Sequence, residues 1–100
     1  MTFEFTPRLR QHVIAAGRHG IIVEIAQSDS SDFEVTELHI HFVTEKQAAG
    51  FVQRRGFHPV RTDCCTVYLP NYRLTYADSV TFDLRSIGPF HTVRCEGISL

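Results

Sequence analysis

The sequence predicts an α+β domain built from a small, mostly antiparallel sheet and two helices. Three observations carry that expectation. Apolar and polar residues alternate in several short runs, the period of half-buried strands. Two segments switch to helical spacing, each opened by a threonine and closed by a glycine. The longest patterned stretch, TVYLPNYRLTYADSVTFDLRSIGPFHTVRC at residues 66–95, reads as short strands joined by turn formers.

Taken in order, Phe3 and Phe5 alternate with Thr2, Glu4 and Thr6, a first strand with one apolar face. Thr6 has the character of a helix N-cap, and Pro7 suits the first helical position because its missing N–H is unneeded there. Leu9, Val13 and Ala16 follow at helical spacing, and Gly17 supplies the stop. Gly20 leads into IIVEIA, a second strand. QSDSSDF interrupts it with turn formers, where Asp29 and Asp32 read as solvated turn residues. From Val35 the alternation returns, with Leu38, Ile40 and Phe42 on one face and Glu37, His39 and His41 on the other.

Thr44 and Gln47 fit a capping box, each side chain answering the other's backbone N–H. The helix they open packs Ala48, Phe51 and Val52 inward and ends at Gly56. At its end, Arg54 and Arg55 complement the macrodipole. FHPVR is a short strand, placed at an edge by Pro59, and VYL follows. Arg73 to Tyr76 is extended and Ala77-Asp78-Ser79 turns. Val80, Phe82 and Leu84 then face the core, and FHTVRC closes the chain after Gly88-Pro89. Residues 3–26 and 40–61 share a strand–threonine–helix–glycine–strand outline, so a ferredoxin-like βαββαβ core with extra strands is an alternative architecture.

One hundred residues suit one domain over 1–100 with a single modest core. A net charge of −1 provides no basic footprint for nucleic acid. Glu4, Pro7, Arg8 and Arg10 interrupt the run a secretory leader needs. No window approaches the roughly 20 apolar residues of a membrane span. Three cysteines, two of them adjacent, suit a reducing compartment better than a disulfide scaffold. The expected location is cytoplasmic.

FEFTPRLRQHVIAAG, IIVEI and the closing run VYLPNYRLTYADSVTFDLRSIGPFHTVRCEGI together resemble the HesB-like domain of A-type iron–sulfur carrier proteins, and most of all a small offshoot with a Cys-Cys pair. The resemblance covers about two-thirds of the chain and implies a non-enzymatic protein that holds iron or an iron–sulfur cluster through cysteines. It also implies a homodimer or an iron–sulfur protein as partner. The family's ligand motif is not preserved. QSDSSDF holds no cysteine, no Cys-x-Cys follows Arg94, and Cys64-Cys65 falls later than the offshoot's pair. A second likeness, ELHIHFVTEKQAAGFVQRRGFHPV, is similar to the strand–helix entry of a glyoxalase-type module. Aligned on Val43-Thr44-Glu45, however, the metal-histidine position falls on Leu38, and one residue of register turns a strand side chain to the other face.

The candidate ligands follow from donor chemistry. Cys64, Cys65 and Cys95 offer soft thiolates suited to iron–sulfur clusters or zinc, although neighbours in a strand would point to opposite faces. His39 and His41 share one face of a strand with Glu37 and are the candidate metal ligands; on the plain reading they are solvated polar residues. Asp63 raises a neighbouring thiol's pKa and argues against a nucleophilic cysteine. The expected function is therefore an iron or iron–sulfur binding domain using Cys64, Cys65 and Cys95. A metal-free domain of the same fold acting by protein–protein contact is the first alternative. A metal-dependent glyoxalase-like enzyme using His39 and His41 is the second.

Overall fold

Both helices begin and end where their flanking residues place them. The computed structural model describes the backbone of residues 1–29 and 34–100, and the side chains of residues 1–25 and 37–100. Its elements are β1 (Thr2–Phe5), α1 (Pro7–Ala16), β2 (Gly20–Asp29), β3 (Glu34–Val43), α2 (Glu45–Arg55), β4 (His58–Arg61), β5 (Thr66–Leu69), β6 (Thr75–Ile87) and β7 (Phe90–Ser99). At the start of α2 the capping box is complete: the Gln47 N–H donates to Thr44 Oγ1 at 3.2 Å, and the Thr44 N–H donates to Gln47 Oε1 at 3.1 Å. Gly17 and Gly56 end the two helices in the left-handed conformation.

At α1 the expectation holds for the backbone only. Thr6 has the extended geometry of an N-cap, but its hydroxyl makes no cap hydrogen bond. It donates instead to Asp83 Oδ1 at 2.6 Å, and Arg8 Nε donates to the same oxygen at 2.7 Å. Hydrogen bonds from Arg8 and then Thr6 hold the Asp83 carboxyl well below the usual carboxylate range. A carboxylate on β6 thus outcompetes the local N–H for the hydroxyl, because a charged acceptor makes the stronger bond. Leu9 and Val13 are buried, whereas Ala16 is exposed.

The α+β class is as expected, but the strands divide between two sheets, ordered β1-β6-β7 and β3-β2-β5-β4. β1 runs parallel to β6, from Thr2↔Ser79 to Phe5↔Phe82. Since β1 does not join β2 and β3, the ferredoxin-like alternative is excluded. Its repeated outline is local pattern, and the long-range pairing of β1 with β6 overrides it. Pro59 does sit on an edge strand, β4, whose other side pairs with β5.

One core fills the space between the sheets and α1: Phe5, Leu9, Val13, Ile21, Val23, Val67, Leu69, Leu74, Val80, Phe82 and Val93. A second cluster, Ile22, Val43, Ala48, Phe57 and Tyr68, lies under α2 on the other face of the four-stranded sheet, with Phe51 and Val52 packed against it. β2 is therefore apolar on both faces, which is why IIV is unbroken in the sequence.

Two turn expectations change. Gln27, Ser28 and Asp29 stay in β2, paired with Thr36, Val35 and Glu34, because a continuing antiparallel ladder satisfies their backbone groups better than a break. Asp32 lies outside the described residues. Ala77-Asp78-Ser79 is no turn but a bulge within β6, between the pairs Tyr76↔Ile98 and Thr81↔Glu96. Gly97 permits it: a Cβ there would stand 2.6 Å from the Ser79 carbonyl oxygen. Arg55, expected only to complement the helix dipole, places its guanidinium over the Phe51 and Phe57 rings and 3.7 Å from Glu24.

Candidate functional site

Cys64 and Cys65 occupy a tight connection between β4 and β5, not a strand, so the opposite-face argument does not apply. Thr62 builds that connection. Its hydroxyl accepts the N–H groups of Cys64 and Cys65, each at 3.2 Å, and donates to the Cys65 carbonyl at 2.6 Å. The Thr62 N–H also reaches the Cys65 carbonyl, at 3.2 Å. A single hydroxyl thereby satisfies three backbone groups.

The two thiols act on each other's titration. Burial is the main influence on both. It raises Cys64, although the neighbouring Cys65 and the charge of Arg10 act the other way. It pushes Cys65 up to about 12, with the neighbouring Cys64 adding to the effect. Arg10 reaches the turn from α1 and grips Asp63 with both terminal nitrogens, at 3.1 and 3.3 Å. The pair is therefore asymmetric: burial and Cys64 both raise Cys65, whereas Cys65 and Arg10 partly offset the rise at Cys64.

Cys95 does not join them. It lies on β7 opposite Phe82 of β6, packs against the main core, and is pushed up to about 11 by burial and then by Glu96. His39 and His41 do share a face of β3, but each meets a different carboxylate. His39 Nε2 is 3.9 Å from Glu37 Oε2, and His41 Nε2 is 2.9 Å from Glu24 Oε2. The other ring nitrogen of His41 contacts the Phe42 carbonyl at 3.1 Å. Both nitrogens of His41 thus face protein oxygens. Among the described residues, no group of three or more His, Cys, Asp or Glu is arranged to hold a metal. A resident iron or cluster with all its ligands among the described residues of one chain does not fit.

A polar constellation that the sequence reading missed lies beside the cysteine turn. His19, from the α1–β2 connection, shares a 2.6 Å hydrogen bond with the Tyr68 hydroxyl on β5. Gly20 makes room for that contact, since a Cβ there would stand 2.5 Å from the Thr66 carbonyl and 3.0 Å from the Tyr68 ring. Burial raises Tyr68 first, Glu45 raises it further, and Arg61 opposes them. These residues and Cys65 line an open cavity of about 600 Å³ between α2 and the β4–β5 edge. Gly20 is the only local signal, and a glycine opening a strand has too many uses to identify a site.

No family model matches this chain, and no curated protein matches it by sequence. In fold it is similar to Escherichia coli SufA, a protein involved in the biosynthesis of iron–sulfur clusters. The superposition has a TM-score of 0.52 at 12% identity, over 96% of this chain and 80% of that one. At that identity the likeness is one of fold. Among the described residues, no helix is long and apolar enough to cross a membrane.

Proposed function

We propose that this protein is a small non-enzymatic thiol module that takes iron or an iron–sulfur cluster as cargo, with Cys64 and Cys65 as the ligands. The observation that carries this reading is the Thr62-built turn, which presents two soft donors side by side. A shared fold with a protein of iron–sulfur biosynthesis supports it. One chain supplies two adjacent thiols, whereas clusters are held by about four; a second copy's pair supplies the remainder, so the loaded form is a homodimer. Cys95, on β7, forms no metal-holding group with Cys64 and Cys65 among the described residues, and His39 and His41 stay with their carboxylates.

The test is anaerobic reconstitution with ferrous iron and sulfide, followed by visible absorption, iron analysis and light scattering. A coloured dimer is expected for the wild type and for Cys95→Ser, and a colourless monomer for the Cys64→Ser/Cys65→Ser double variant. A colourless, iron-free wild type defeats the reading.

A second reading has its own support. Burial favours the neutral thiol at Cys65 and Cys95, and metal ligation requires thiolates. On that reading the fold works through protein contact alone. Three reduced, spectroscopically silent thiols after reconstitution would favour it.

A further inference from the structure

We infer that the cavity between α2 and the β4–β5 edge binds a free α-amino acid with an aliphatic side chain. The inference does not depend on the chemistry of the thiols. Its basis is a pair of opposite charges in the cavity lining: Glu45 and Arg61 both line it, and no ion pair joins them among the ion pairs of the described residues. The two also act on the Tyr68 hydroxyl with opposite sign. Opposite charges facing one cavity without meeting each other match a ligand that carries both charges itself.

The remaining lining narrows the class. The lining carries one carboxylate, Glu45, and one guanidinium, Arg61. A simple anion or a simple cation would satisfy one and be repelled by the other. The His19–Tyr68 pair supplies a hydrogen-bonding group in the same lining. Val52 and Pro59 form an apolar wall beside the charged groups, a surface for an aliphatic side chain. A volume of about 600 Å³ lies within the usual range of small-molecule sites, roughly 300–1,000 Å³. The ligand's carboxylate meets Arg61, its ammonium meets Glu45, and its side chain lies along Val52 and Pro59.

The experiment titrates the full chain with three matched probes: L-leucine, 4-methylpentanoate, which lacks the ammonium, and isoamylamine, which lacks the carboxylate. Calorimetry gives affinities, and amide and side-chain NMR shifts locate the site. L-leucine should bind saturably, with shifts centred on His19, Glu45, Arg61 and Tyr68. Each truncated probe should bind about tenfold more weakly, the loss of one charge-assisted contact. Arg61→Gln and Glu45→Gln change only exposed groups and should each lower L-leucine affinity about tenfold. Arg61→Gln should leave isoamylamine unaffected, and Glu45→Gln should leave 4-methylpentanoate unaffected. No saturable shift at tens of millimolar L-leucine, or equal binding of the truncated probes, overturns the inference.

Discussion

The cysteine pair and the histidine pair look alike in the sequence, as two donors close together in a polar setting, but the fold treats them differently. Cys64 and Cys65 leave a turn in which the Thr62 hydroxyl holds both cysteine N–H groups and the Cys65 carbonyl. His39 and His41 stand on an extended strand, and each is drawn to a separate carboxylate. Proximity in sequence thus does not by itself make a common site. Polar donors on an open strand face take the nearest opposite charge.

That contrast can be broken on the cysteine side first. Thr62→Val removes the hydroxyl serving three backbone groups and should cost about 2–3 kcal/mol of stability, read by urea unfolding. It should also speed alkylation of both thiols by iodoacetamide. An unchanged midpoint would mean that the turn is held by other contacts.

Next comes pH. A thiol raised in the folded state binds its proton more tightly there than in the unfolded chain. Stability from Cys65 is therefore complete below its ordinary value near 9 and is lost as pH climbs towards about 12. Wild-type stability should fall across that window, and Cys65→Ser should flatten the decline measurably. An identical slope in both proteins would assign the decline to other groups.

On the histidine side, Glu24→Gln removes the charge between His41 and Arg55 and should cost about 1 kcal/mol. It should also make nickel binding to the strand face detectable by calorimetry, where the wild type should show none. Smallest of all is His39→Ala. More than half of this side chain is exposed, at 54%, and its carboxylate contact is long, at 3.9 Å; the stability change should lie within about 0.5 kcal/mol. A larger loss would show that the outer face of β3 carries structure rather than solvent contact.

What could be read from the chain alone is what short spacing determines. Alternation marked the strands, including the inward set Val80, Phe82 and Leu84. The Thr44–Gln47 capping box, the two glycine stops and the edge position of Pro59 each depend on geometry within about four residues. Tertiary structure decided what spacing cannot carry. It drew the Thr6 hydroxyl to Asp83, 77 residues away, and it joined His19 to Tyr68 across 49. It also split the strands between two sheets and turned residues 77–79 into a bulge facing Gly97. A local window records propensity, but these partners are chosen by which charge or carbonyl the folded chain brings nearest, and that depends on the whole topology.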